Sequence, residues 1–310
     1  MTLPEVSVVL PTYNRAAYLR EAVDSVSAQT YRDWELVIAD DGSDDSTRAF
    51  LSRLEDPRTI VLFLAHSGNP GAVRNRAIER ARGKYVAFLD SDDVWAPRKL
   101  EIQLDLMRSR PERRWSYSNT TEIDEKSNPL PAGAEPSLYD GWIVEPLLTL
   151  QASIATPSVV VERSLLDEVG PFDEAQHFGE DYDLWVRLAL RSEVSVVSEP
   201  LARVRNRHFD RYSIDRLAEF VAWVRLYGKM AGIMPDSRLR SLCMRRRAEQ
   251  ALVLAGQYVD RGDHAAVARA LIASSTYSWR YLDWWWGAAK TIVRPVAPSP
   301  LRSLYRKWRG

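Results

Sequence analysis

The chain has 310 residues, 45% hydrophobic and 27% charged, a composition that fits a globular protein with a sizeable core and excludes a fibrous or disordered one. Its single cysteine, Cys243, excludes a disulfide framework and a thiolate metal site, and a reducing compartment is expected. The formal charge of zero hides an asymmetry: residues 1–201 carry 21 basic and 34 acidic side chains, whereas residues 202–310 carry 21 and 8.

The first segment, Glu5–Leu10, is β-branched and apolar and reads as a strand closed by Pro11-Thr12-Tyr13-Asn14. Helical spacing follows through Tyr18, Ala22 and Val26. Glu35–Ala39 reads as a second strand ending in Asp40-Asp41-Gly42-Ser43, and Asp44 and Asp45 open a helix. Ile60–Leu64 is a third strand, His66–Gly71 a turn and Ala72–Ala81 a helix. Tyr85–Leu89 is a fourth strand that runs into Asp90-Ser91-Asp92-Asp93. Strands alternating with helices of this length indicate βαβ units and a mostly parallel sheet, in which ligands sit beyond the carboxyl ends of the strands.

After Pro97 the pattern predicts a helix to about Met107, a short strand near Trp115–Ser118, a Pro- and Gly-rich surface loop over 125–141 and a strand at Pro157–Val161. Glu180 and Asp181 precede a helix with an apolar face of Leu184, Trp185, Leu188 and Ala189. Val194–Val197 and Leu201–Val204 read as late strands, and 214–231, 238–260 and 263–277 as long helices. No run of about 18 apolar residues is present, so no membrane-spanning helix is expected, and the N-terminus has no signal-peptide pattern.

Four polar clusters carry candidate chemistry. Three carboxylates within four positions, Asp90 to Asp93, repel one another unless a cation sits among them; hard oxygens of the Asp90-Ser91-Asp92 type suit Mg²⁺ or Mn²⁺ shared with phosphates, and an acidic turn capping the next helix is the alternative. Asp40 and Asp41 can accept from a base N–H or from ribose hydroxyls, with Tyr13 stacking on the base, or can simply build a turn. Arg74, early in a helix, suits a diphosphate or else is an exposed helix-start Arg. Glu180 and Asp181 are either helix-start acids or a general base for a hydroxyl nucleophile.

In this order the motifs resemble family 2 glycosyltransferases of the GT-A fold: Val6–Asn14, Asp40-Asp41-Gly42-Ser43, Ala72–Asn75, Leu89–Asp93, Val169-Gly170-Pro171-Phe172-Asp173 and Glu180-Asp181. The resemblance covers about residues 5–205. It implies an α/β GT-A catalytic domain over 1–205, with a nucleotide-binding half of about 1–95 and an acceptor-side half of about 96–205, and a helical appendage over 206–310. It implies inverting sugar transfer from a nucleotide-diphosphate donor, a UDP-sugar foremost and GDP- or dTDP-sugars as alternatives, to a saccharide or lipid-linked acceptor. By the same resemblance Pro11, Tyr13, Asp40 and Asp41 line the nucleoside pocket and Arg74 faces the diphosphate. Asp90 and Asp92, flanking Ser91, hold Mg²⁺ or Mn²⁺, and Asp181, beside Glu180, is the catalytic base. Arg205 and His208 occupy a region where the family carries basic contacts to the phosphates.

The tail places Trp279, Trp284, Trp285, Trp286 and Trp308 among Arg and Lys. Over 214–277 a packed helical bundle is the expectation; over 279–309 the pattern favours an anionic membrane surface, on the inner face of the cytoplasmic membrane. No nucleic-acid motif accompanies it. Two rival functions are a nucleotidyltransferase-like enzyme, which would carry a Gly-rich basic loop where Pro11-Thr12-Tyr13-Asn14 stands, and a non-catalytic scaffold, which would have lost the acids.

Overall fold

The computed structural model describes residues 3–131, 137–206 and 216–293, and the chain divides into two compact units, Met1–Arg211 and Tyr212–Gly310. The first unit runs β1 (Val6–Thr12), α1 (Ala16–Ser27), β2 (Trp34–Asp40), α2 (Ser46–Leu51), β3 (Thr59–Phe63), α3 (Pro70–Arg80), β4 (Tyr85–Phe88), β5 (Val94–Trp95), α4 (Lys99–Ser109), β6 (Trp115–Ile123), α5 (Val144–Leu148), β7 (Val160–Glu162), α6 (Arg163–Val169), α7 (Glu180–Ala189) and β8 (Val194–Arg205). The strands form one sheet in the order β3-β2-β1-β4-β7-β6-β8-β5.

The first half of this sheet is parallel: β1 pairs with β2 and β4, and β2 with β3. Thr12 lies opposite Asp40, and Val9 opposite Phe88, so the carboxyl ends of these strands open on one edge. The second half is mixed: β7 is antiparallel to both β4 and β6, β5 is antiparallel to β8, and β6 runs parallel to β8. β1 and β2 are buried along nearly their whole length, which is why they read as continuous apolar runs rather than alternating ones.

The core of the unit gathers Val8, Leu10, Leu36, Ile38, Ala87 and Leu89 from the strands with Leu19, Val26, Leu100 and Leu104 from the helices. An aromatic group ties the acceptor-side elements to it. Phe88 meets Phe172 edge-on at 5.5 Å and Trp185 at 5.8 Å, and Trp185 stacks on Trp115 at 6.4 Å. Burying that group against β4 and β6 anchors α7, whose first turn carries Glu180, Asp181 and Asp183.

Several expectations are corrected. The two late strands are a single β8; its register against β6 slips around Asn119, where Pro200 stands, so a bulge carries the pairing across the polar gap. Pro157–Val161 begins as a 3₁₀ turn, Thr156–Ser158, because Pro157 cannot donate to a ladder, and pairs only from Val160. β5, α5 and α6 were not foreseen; two, five and seven residues are too few to show a period. Of the 125–141 loop, a turn closes on Asp124, whose carboxylate accepts from Lys126 N and Asn128 N at 2.8 Å each.

The second unit contains α8 (Arg216–Ile233), α9 (Ser237–Asp260), α10 (His264–Ser278) and α11 (Leu282–Val293). Asp236 caps α9 and Asp263 caps α10 through their carboxylates. Its core joins Ala248, Ala255, Val267, Leu271, Trp284 and Ala288. Cys243 of α9 is fully buried, and burial pushes its thiol up to about 12, so it is an inert packing residue. The Trp-rich stretch is divided: Trp284 is in the core, whereas Trp279, Trp285 and Trp286 are 62%, 49% and 67% exposed. Trp308 lies outside the described residues. No helix among the described residues is long and apolar enough to cross a membrane.

Candidate active site

The site forms along the open edge of the parallel strands, where four loops meet. Beyond β1, Asn14 sits at φ 49° and its side chain exchanges two hydrogen bonds with Asp44, while its amide donates to Ser43 Oγ. Pro11 is half-buried at the end of β1, and the ring of Tyr13 is 39% exposed. Asp40, at the end of β2, is fully buried; its Oδ1 accepts from Ser43 N at 3.2 Å and from Ser43 Oγ at 2.5 Å. It therefore shapes the turn.

Asp41 takes part in a different network. Its Oδ1 accepts from Ser67 N and Ser67 Oγ, both at 2.8 Å, and its Oδ2 from Gly68 N at 2.9 Å, with His66 Nδ1 3.0 Å away. Three donors hold the carboxylate in one rotamer and leave an acceptor position on Oδ2. Gly42 allows this approach. It sits at φ 76°, and a Cβ there would lie 2.8 Å from the backbone nitrogen of His66.

α3 is locked to the segment that precedes α7. Asn69 caps α3, accepting from Ala72 N at 3.1 Å and donating to Glu174 O at 2.7 Å. Asn75 exchanges hydrogen bonds with the backbone of Phe172 at 2.9 and 3.0 Å. This positions Arg74, only 6% exposed, with Nη2 2.6 Å from Asp90 and Nη1 2.9 Å from Glu180, and its guanidinium 5.4 Å from the centre of the Phe172 ring. Burial alone would favour the neutral guanidine; the flanking carboxylates of Asp90 and Glu180 outweigh it and hold Arg74 firmly charged. Glu180 is held above the ordinary carboxylate range by burial, with Arg74 opposing the shift and the charge of Asp181 adding to it.

Asp181, next in the chain, is bound differently. Its Oδ2 accepts from Thr156 Oγ1 at 3.1 Å and its Oδ1 from the amide of Tyr182 at 2.7 Å. The Thr156–Ser158 turn thus supplies one of its two orienting donors, which sequence reasoning missed because Thr156 has no local partner.

The turn Asp90–Asp93 closes with Asp93 N donating to Asp90 O at 3.1 Å; Ser91 is buried and Asp92 half-buried. Asp93 is pushed well above its ordinary range by burial and then by the charges of Asp90 and Asp92. Its Oδ1 accepts from Arg205 N at 2.8 Å, so it braces β8. Arg205 is itself buried: it donates to Asp92 O, Asp124 O and Glu21 at 2.8 Å each and lies over the ring of Tyr18 at 4.5 Å. Its guanidinium is committed to these anchors and is not presented as a phosphate contact, the role expected for it. His208 lies outside the described residues.

Among the described residues, no three His, Cys, Asp or Glu side chains converge as a ready-made metal cage. The donor chemistry nevertheless fits Mg²⁺ or Mn²⁺, which bind one or two carboxylates and complete their shell with phosphates and water.

Comparison with known proteins places this geometry. A sequence model described as glycosyl transferase family 2 matches residues 7–133. The chain is 32% identical over 199 residues to UDP-Glc:alpha-D-GlcNAc-diphosphoundecaprenol beta-1,3-glucosyltransferase WfgD of Escherichia coli, covering 62% of this chain and 73% of WfgD. The chain belongs to glycosyl transferase family 2. Two solved structures share the fold. S. aureus TarS 1–349 in complex with UDP-GlcNAc has a TM-score of 0.62 at 17% identity, covering 90% of this chain and 93% of that one. The mannosyltransferase PcManGT from Pyrobaculum calidifontis, in complex with GDP-Man and Mn²⁺, has a TM-score of 0.57 at 17% identity, covering 98% and 84%. The chain spans about a third of the length of the first curated relatives it matches, uncharacterized glycosyltransferases of Rickettsia felis and Rickettsia conorii.

Proposed function

We propose that this family 2 member is an inverting glycosyltransferase that moves a sugar from a nucleoside-diphosphate donor, a UDP-sugar foremost, to a hydroxyl of a saccharide or lipid-linked acceptor, in the synthesis of a cell-surface glycan or glycolipid at the cytoplasmic face of the membrane. The observation that carries this reading is the Arg74 bridge, which joins the Asp90 turn to the start of α7 through two charged hydrogen bonds. On this reading the leaving-group site is tied to the start of the helix that carries the base. WfgD, named for a UDP-sugar donor and a lipid diphosphate acceptor, supports the substrate class.

Asp181 is assigned as the general base. It takes the proton of the acceptor hydroxyl as that oxygen bonds to the anomeric carbon and the bond to the diphosphate breaks. Thr156 and the Tyr182 amide aim its carboxylate. Glu180 shares none of this work, since its charge is committed to Arg74; it positions the first turn of α7. Asp90 and Asp92 would hold Mg²⁺ or Mn²⁺, which when bound neutralises charge on the departing diphosphate. Arg74 adds a fixed positive charge beside it. Tyr13, Pro11 and Asp41 face the nucleoside.

The test is Asp181→Asn. Transfer is expected to fall by about 10²-fold or more while nucleoside-diphosphate binding stays near wild type. Transfer at the wild-type rate would remove Asp181 from the mechanism.

A further inference from the structure

His66 has no role in the sequence reading, where it is part of a turn, yet it touches two of the groups assigned to the nucleoside. Its ring stacks on Tyr13 with centroids 4.2 Å apart and planes 22° from parallel. Its Nδ1 lies 2.9 Å from the main-chain oxygen of Asp41 and 3.0 Å from Asp41 Oδ2. A main-chain oxygen can only accept, so Nδ1 carries the hydrogen and donates to it, with Asp41 Oδ2 close beside this bond. This fixes the tautomer and the plane of the ring. The ring plane in turn fixes Tyr13, whose remaining surface is exposed.

The backbone is built for this arrangement. Gly42, at φ 76°, lets the 41–43 turn approach His66 to a distance that a Cβ would block. The neighbouring amides of Ser67 and Gly68 donate to the Asp41 carboxylate and hold it in place. Tyr13 follows β1, Asp41 follows β2 and His66 follows β3, three adjacent parallel strands. His66 is the side chain that joins the other two through space.

We propose that His66 is the positioning residue for nucleobase recognition, setting the stacking ring of Tyr13 and the acceptor carboxylate of Asp41 as one unit. The inference rests on the nucleoside-diphosphate reading of the site and deepens it. The role is confined to the base: Arg74, assigned to the diphosphate, is held instead by Asp90 and Glu180.

The experiment measures binding of UDP, GDP, dTDP and inorganic pyrophosphate to the full chain by calorimetry with Mn²⁺ present, for wild type and three variants. His66→Phe keeps a ring against Tyr13 and loses the donor. His66→Asn keeps a donor near the Nδ1 position and loses the ring. His66→Ala loses both. Wild type should bind at least one nucleoside diphosphate more tightly than pyrophosphate. His66→Ala should weaken that nucleoside diphosphate about tenfold, the combined value of a ring contact and a hydrogen bond, and leave pyrophosphate unchanged. Each single-function variant should recover part of the loss.

Unchanged nucleoside-diphosphate binding in His66→Ala would overturn the inference, as would a parallel loss of pyrophosphate binding. Should His66→Ala fail to fold, the Phe and Asn variants decide: wild-type preference for the nucleoside diphosphate in both overturns it. A wild-type protein with no preference for any nucleoside diphosphate over pyrophosphate overturns the functional reading beneath it.

Discussion

Arg74→Met tests the charged bridge at the centre of the site. The substitution keeps the apolar stem of the side chain and removes the charge, leaving Asp90 and Glu180 without their shared partner. Their side chains are 27% and 13% exposed, so Glu180 bears most of the cost and Asp90 is partly rescued by water. Removing one member of a buried ion pair costs about 3–5 kcal/mol, and the partial exposure of Asp90 argues for the lower value. For a unit of this size each kcal/mol moves the melting temperature by about 2–4 °C, so the loss expected is about 6–12 °C. The pH dependence has a definite sign. Burial already raises the Glu180 carboxyl, and without Arg74 it rises further. An acid raised in the folded state keeps a proton that the unfolded chain has lost, so stability falls as pH rises through that window. The difference between wild type and Arg74→Met should therefore be larger at about pH 8 than at about pH 5. Adding Glu180→Gln to Arg74→Met removes the stranded charge and should recover much of the loss. Thermal melts of the four proteins of this cycle at both pH values measure it. A melting temperature within about 2 °C of wild type at both pH values, or no recovery in the double variant, would refute the bridge as a source of stability.

Three further outcomes are expected. Lys99 is fully buried, and its Nζ donates to the uncharged partners Gln103 Oε1 and Ser158 O, 4.6 Å from the Trp95 ring; burial lowers its pKa well below the ordinary lysine value. Between the folded and unfolded values only the unfolded chain holds the proton, so this group makes wild type more stable as pH rises, and the melting temperature of Lys99→Met minus wild type should fall between about pH 7 and pH 10; a difference independent of pH would count against it. Asp92→Ala should abolish the extra thermal stabilisation that Mn²⁺ adds to UDP in a shift assay, and an undiminished metal increment would remove Asp92 from the ligand set. Replacing Trp285 and Trp286 together by Ser should reduce co-sedimentation with phosphatidylglycerol vesicles without changing the melt, because both are exposed while Trp284 supplies the core; unchanged sedimentation would leave the membrane reading without support.

The parallel half of the fold was legible because its strands are buried on both faces and bounded by turn-forming residues, as in Val6–Thr12 and Trp34–Asp40. The acids at their ends could be found for the same reason: strand order in the chain translated directly into one edge in space. What was not legible depends on partners distant in sequence. His66 and Thr156 are ordinary polar residues until Asp41 and Asp181 come to them across 25 positions each. Arg205 read as a basic group near the phosphates, but its charge is spent on carbonyls 81 and 113 positions away. α11 was hidden by its composition: consecutive tryptophans obscure the helical period that sorts Trp284 inward and Trp285 outward.

The buried guanidinium of Arg205 also has a mechanical consequence. It grips the main chain of the acidic turn at Asp92 and the main chain of the loop base at Asp124, while Ser127, its third anchor on the loop, bonds the same glutamate, Glu21. Main-chain carbonyls are present whatever the side chain, so the grip is indifferent to substitution at most of the loop. The root of the loop is therefore tied to the acidic turn even when the side chains at Asp92 and Asp124 change. Two segments far apart in the sequence are thus fastened together by one cation.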